Sequence, residues 1–339
     1  MAAPFRVTFD AMNRQERKRR FLLEAYSENL INFANSEQKA IAEPIGDKKV
    51  LIQEPVYICP LCLTPFKGIV ALAAKPPSLT LEHNPPEHLG GKANLLTCTS
   101  CNNSHGGKTD HKIGTDLEKG RFFDREPNSS LTIRAQIGKS HMRSKMIRLN
   151  EDTIGIVIDE RINDHVAGKF VAAFQEGNFS DIKLYPELPE DDDLNLACLK
   201  IAHLDAFRFF GYSYLISSNG RFIVNTLRNK TKPIPAYGLM HMNPPPPLDG
   251  LHFATIEDLR FFMVVFTVKS KTTTRMGVLL PGHGEEGLTE YLKFQKPAMS
   301  SHQVTVTRLN DHALPLKPPP SNRYKWLWEQ CLSGDLPSR

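Results

Sequence analysis

Two Cys-x-x-Cys pairs, Cys59/Cys62 and Cys98/Cys101, constrain this chain more than any other feature. Each pair sets two thiols on one side of a tight bend, and four thiolates complete the tetrahedral shell of Zn²⁺. A redox Cys-x-x-Cys usually occurs singly, on a strand-to-helix turn, so two pairs close in the chain point to a metal instead. A closed four-thiolate shell leaves no position for substrate, so the expected zinc is structural. It also supplies stability that so short a segment cannot draw from apolar burial alone.

The residues between the pairs carry the remaining chemistry. Residues 78–82 alternate apolar and polar, which predicts a short strand. Asn84-Pro85-Pro86 ends it, Gly90-Gly91 is a turn, and residues 94–97 form the returning strand. The polar run 101–110 reads as a short helix, although Gly106-Gly107 is poor helix material. Glu82-His83 then stands at the end of the first strand and Asn102 at the start of the helix. A carboxylate facing a side-chain oxygen suits a hard cation such as Mg²⁺ or Mn²⁺. A neutral imidazole beside them can deprotonate a water. Each residue also has an ordinary reading: Glu82 as an exposed strand residue, His83 as a buried, satisfied histidine, Asn94 as a turn residue, Asn102 as a helix cap.

The order Cys59-Pro60-Leu61-Cys62, Glu82-His83-Asn84-Pro85-Pro86, Gly90-Gly91, Asn94-Leu95 and Cys98-Thr99-Ser100-Cys101-Asn102 resembles the HNH endonuclease motif, in its four-cysteine, zinc-containing branch. The resemblance spans about a sixth of the chain. It implies a ββα-metal nuclease module. By position, His83 is the expected general base and Asn94 the residue that orients its ring. Glu82 and Asn102 are the expected ligands of a catalytic Mg²⁺ or Mn²⁺, with His105 as the alternative to Asn102 and Asp110 a weaker one. The activity implied is metal-dependent hydrolysis of DNA phosphodiester bonds, and the family association is with bacterial or phage defence or restriction. A non-catalytic zinc-ribbon module that binds nucleic acid, and an RNA-directed nuclease, are the competing readings. A helix containing Lys200-Ile201-Ala202 and ending at Gly211 resembles one found downstream in some multidomain relatives, but it names no chemistry.

At 339 residues the chain is long enough for two or three domains. The expected fold class is α+β. Residues 1–52 read as an N-terminal helical segment, with Leu22, Tyr26, Leu30 and Phe33 at helical spacing behind a basic first turn. Residues 53–125 form the nuclease module, 126–150 a basic connecting segment, and 151–339 an α+β domain of unassigned role. Within that last part, residues 194–210 and 221–228 read as helices and 212–216 as a strand. The net charge of +5 tilts toward a polyanionic partner. Lys108, Arg134, Lys139, Arg143, Lys145 and Arg148 are the candidate phosphate contacts. Cys198 and Cys331 lie in apolar segments as free thiols, which suits a reducing cytoplasm. The longest apolar run, 261–266, is far below the roughly 18 residues a spanning helix needs, so no membrane association is expected. The sequence does not choose an oligomeric state.

Overall fold

The computed structural model of the chain describes residues 13–37, 55–68, 70–73, 76–108, 110–158, 164–177, 182–187, 191–229, 249–256, 258–271, 273–294, 304–309 and 323–333. They mix helix and sheet, as an α+β chain should. Two compact units emerge: residues 1–108 with 195–339, and residues 109–194. That division differs from the expected one, because the basic segment 126–150 is not a connection but the middle of a sheet.

The first unit begins with α1 (Arg14–Glu37). Asn13 and Glu16 cap its start reciprocally: each side chain accepts the other's backbone N–H, both at 2.9 Å. Leu22, Tyr26 and Leu30 are buried, as their spacing predicts. The short pair β1 (Val56–Ile58) and β2 (Pro65–Lys67) flanks the first Cys turn, and α2 (Val70–Ala73) follows. Next come β3 (Leu79–Asn84) and β4 (Lys92–Cys98), an antiparallel hairpin, and then α3 (Thr99–Lys108). Gly91 has no room for a side chain: an added Cβ would fall 1.4 Å from the Pro85 carbonyl oxygen. The Gly-Gly turn therefore closes the hairpin as expected.

The second unit holds α4 (Asp110–Phe123), β5 (Ser130–Ile137), β6 (Ser140–Arg148), β7 (Ile154–Ile158), α5 (Asp164–Gln175) and β8 (Ile182–Pro186). Its four-stranded sheet runs β7-β6-β5-β8. Leu131, Ile133 and Ala135 alternate inward against Phe122, Met142 and Phe170. Period-two alternation puts every second side chain on the other face. Arg134, Arg143 and Lys145 accordingly lie on the exposed face.

The chain returns to the first unit along α6 (Asp191–Phe210). Gly211 ends this helix at φ +65°, and a Cβ there would sit 2.2 Å from Asn29 Oδ1. Residues 212–216 were expected to be a strand; instead α7 (Tyr212–Leu215) is a helical turn, followed by α8 (Ser218–Asn229). A second four-stranded sheet, ordered β11-β10-β9-β12, contains β9 (Gly250–Ile256), β10 (Leu259–Lys269), β11 (Thr273–Pro281) and β12 (Val304–Arg308). Helices α9 (Gly284–Lys293) and α10 (Arg323–Ser333) complete the unit. Strand β10 is apolar without alternation because residues 261–266 are all buried. Phe262 packs on Tyr324 and Trp328, whereas Phe261 meets Phe294. A strand covered on both faces has no polar side to show. No helix among the described residues is long and apolar enough to cross a membrane.

Candidate metal centre and its surroundings

The first Cys turn follows β1, and the second spans the join from β4 to α3. The Sγ atoms of Cys59, Cys62, Cys98 and Cys101 all lie within 4.8 Å of one another. Around a tetrahedral ion with Zn–S near 2.3 Å, sulfurs sit about 3.8 Å apart. Cys62 and Cys98 are at 3.7 Å, so the donor set fits a metal ion such as zinc. The backbone N–H of Cys98 donates to Cys59 Sγ at 3.3 Å and that of Cys101 to Cys98 Sγ at 3.4 Å. Amide hydrogens aimed at sulfur favour thiolates. Hydrogen bonding from Cys101, then Cys59, pulls the Cys98 thiol down to about 7. Burial pushes Cys59 up. A bound cation requires all four as thiolates, so metal binding releases their protons. Cys198 and Cys331 are buried, as expected.

Glu82 occupies a different setting from the one expected of it. Its side chain is 2% exposed and ion-paired to Lys200 Nζ at 2.7 Å, itself equally buried. Its other oxygen accepts the Thr97 hydroxyl at 2.9 Å. Both carboxylate oxygens are thus engaged inside the protein, and the Lys200 ammonium supplies the positive charge that a divalent ion was expected to bring. Asn102 Nδ2 donates to Thr80 Oγ1 at 2.9 Å and to the Leu81 carbonyl at 3.3 Å, tying α3 to β3. The donors present do not form the expected cup for Mg²⁺ or Mn²⁺. Among the described residues, the four cysteines are the one cluster of His, Cys, Asp and Glu spaced for a metal. The side chains of His105 and Lys108 lie outside the described residues. Asp110 begins α4, in the other unit.

His83 is 35% exposed, with Glu87 Oε2 3.9 Å from its Nε2. The hairpin register slips here: Glu82 faces Leu95, but His83 faces Ala93. Asn94 is the extra residue, a bulge that re-aims the side chains around it. Its Oδ1 is buried without a partner. Asn94 Oδ1 therefore does not accept a hydrogen bond from His83, which removes the side-chain form of the expected orienting contact and leaves the backbone form as an expectation.

Residues that sequence reasoning did not single out hold the centre in place. Asn84 Nδ2 donates to the Ile201 carbonyl at 3.0 Å. His203 is fully buried, with Nε2 2.8 Å from the Pro60 carbonyl and Nδ1 2.9 Å from Tyr214 Oη. A carbonyl only accepts, so Nε2 carries the proton and Nδ1 accepts from the tyrosine. Burial lowers the His203 pKa to about 4, against the pull of the Pro60 carbonyl. Tyr212 Oη accepts the Ile58 N–H at 2.9 Å. The signal for Lys200 was present in the Lys200-Ile201-Ala202 helix; its partner was not.

Of the candidate phosphate contacts, Arg134, Lys139, Arg143 and Lys145 are exposed. Arg143 pairs with Glu187 at 2.9 Å. Arg148 is already engaged: its guanidinium bonds the Phe122 and Glu151 carbonyls and covers the Phe122 ring. Comparison with protein-family models, with curated proteins and with solved structures gives no match.

Proposed function

We propose that the chain is a nuclease that hydrolyses DNA phosphodiester bonds, built on a zinc-held hairpin and helix. One observation carries this reading. His83 is a part-exposed imidazole at the bulge of β3–β4, and α3 follows directly under the four-cysteine cluster. That order matches the motif the sequence resembles. Cys59, Cys62, Cys98 and Cys101 would hold the zinc, which fixes the hairpin and takes no part in the reaction. His83 would take a proton from the attacking water. The exposed basic face of β5 and β6 offers sequence-independent contacts to a phosphate backbone. The donors do not fit a Mg²⁺ or Mn²⁺ held by Glu82, whose two oxygens are taken by Lys200 and Thr97.

The Glu82–Lys200 pair favours a second reading, a zinc-dependent module that binds nucleic acid without cutting it. Nicking of supercoiled plasmid with Mg²⁺, with Mn²⁺ and with EDTA separates the two, with single-stranded DNA and RNA assayed in parallel. The nuclease reading expects cleavage by the natural chain and at least a hundredfold loss in His83→Ala, in line with the roughly 10²–10⁴-fold worth of a general base. Zinc content and melting temperature should stay unchanged. Equal cleavage by both proteins removes His83 as the base. Binding without cleavage under every metal condition leaves the second reading.

A further inference from the structure

The sheet of the second unit is covered on one side only. Leu131, Ile133 and Ala135 face the core with Phe122 and Phe170. The opposite face is open, and the register fixes what it carries. Tyr185 on β8 stands opposite Arg134 on β5, which stands opposite Arg143 on β6. Two residues to either side of Arg143, His141 and Lys145 share that face, as Lys183 does on β8. All six are exposed. No Asp or Glu occurs in any of the four strands. Glu187, just past β8, reaches Arg143 at 2.9 Å but leaves that side chain 74% exposed. An ion pair so open to water contributes little. Like charges directly opposite each other on neighbouring strands destabilise a sheet. Folding alone therefore gives no reason to set Arg134 against Arg143, whereas a bound polyanion does.

Shape narrows the polyanion. Neighbouring strands lie about 4.8 Å apart, so four of them span about 14 Å before side chains are added. The major groove of duplex DNA is about 12 Å wide and admits a helix or a two-stranded ribbon, not this face. A duplex laid across the sheet offers phosphates alone. Tyr185 is 47% exposed in the same row as the two arginines, and bases stacked within a duplex are closed to its ring. An unpaired strand has free base faces. Stacking them on an aromatic ring beside a cationic track holds a single strand without reading its sequence. Successive side chains on one face of a strand are about 7 Å apart, which suits the phosphates of an extended chain. An acidic peptide matches the charge but not the ring. We infer that the open face of the β7-β6-β5-β8 sheet binds single-stranded nucleic acid, with Tyr185 stacked on a base and Arg134, Arg143 and Lys145 along the phosphates. DNA and RNA share this chemistry. The inference rests on the proposed action on nucleic acid, and it needs no cleavage.

The test is fluorescence anisotropy of labelled oligomers with the full chain and no added divalent ion, each oligomer checked for length afterwards. Short oligothymidylate and oligouridylate are the probes; a duplex of equal length and an abasic phosphodiester strand are the controls. At least one single strand should bind, and the tighter of the two identifies DNA or RNA as the source. The duplex and the abasic strand should bind about tenfold more weakly, the worth of one stacked base. Tyr185→Ala should lose the same factor on the single strand and nothing on the abasic one, and Tyr185→Phe should restore it. Arg134→Gln should lower the slope of log affinity against log salt by about 0.7, one phosphate contact. It should not lower the melting temperature, because it relieves the opposition to Arg143. No binding of either single strand overturns the inference, as does equal binding of the abasic strand, indifference to Tyr185→Ala, or displacement by polyglutamate as effective as by unlabelled oligomer. Plasmid nicking is measured beside these titrations. Nicking that depends on His83, with binding indifferent to Tyr185, removes this inference alone; the Tyr185 pattern without nicking removes the nuclease reading alone.

Discussion

Glu82 shows how one residue's environment decides its chemistry. In the sequence it stands beside His83, where a carboxylate invites a cation. In the fold, Lys200 and Thr97 take both of its oxygens. Nothing local could reveal this, because its partner arrives on a helix far along the chain. The pair also carries a stability argument. Removing one member of a buried ion pair costs about 3–5 kcal/mol, because the survivor stays charged and desolvated. Lys200→Met should therefore lose about that much in denaturant unfolding. Lys200→Met with Glu82→Gln should regain most of it, since Gln is neutral and still accepts from Thr97. Adding Mg²⁺ or Mn²⁺ to the single variant asks a sharper question. Recovered stability means that a vacated Glu82 takes a divalent ion; unchanged stability excludes it as a ligand.

At the scale of elements, α6 bolts the four-cysteine hairpin down. Lys200, the Ile201 carbonyl and His203 engage Glu82, Asn84 and the Pro60 carbonyl in turn. His203 makes this clamp sensitive to acid. Its pKa falls from 6.5 to about 4 on folding, because burial disfavours the imidazolium. The unfolded chain thus binds the extra proton first, and stability must drop as pH falls from about 6.5 toward 4. The linked loss is about 3 kcal/mol, because each pH unit between those two values is worth roughly 1.4 kcal/mol. Unfolding measured across this range should show the drop in the natural chain and a smaller one in His203→Phe. The elements themselves were largely legible. The β3–β4 hairpin, α6 and α8 follow from alternation, helical spacing and Gly breaks. Residues 212–216 were not, because alternating aromatics imitate a strand. Tyr212 and Tyr214 are both buried, and their hydroxyls reach Ile58 and His203 from a helical turn. Tertiary contacts overrode propensity there. In residues 131–148 the many charged side chains mask a period-two pattern that marks a hairpin.

At the scale of the whole chain, two units with separate cores answer differently to loss of metal. The four clustered cysteines all belong to the first unit, and the second has its own sheet packed on Phe122 and Phe170. Structural zinc contributes about 10–16 kcal/mol of apparent binding free energy in small domains, as large as the roughly 5–15 kcal/mol stability of a typical domain. Its removal should therefore unfold at least the hairpin region and leave the second unit standing. Scanning calorimetry with a strong chelator should show one transition lowered or lost and another unmoved, and Cys59→Ser should reproduce that pattern without chelator. A single transition that shifts as a whole means that the units melt together. Two unmoved transitions, with metal demonstrably stripped, mean that the four sulfurs do not hold the fold together. The sequence suggested that metal and hairpin form one object. Only the fold adds that α6 and α7 grip the same object from behind, so the cost of stripping should reach residues 195–215 as well. Hydrogen exchange of those amides, before and after chelation, reads that cost directly: faster exchange there is the expected result, and unchanged protection uncouples the clamp from the metal.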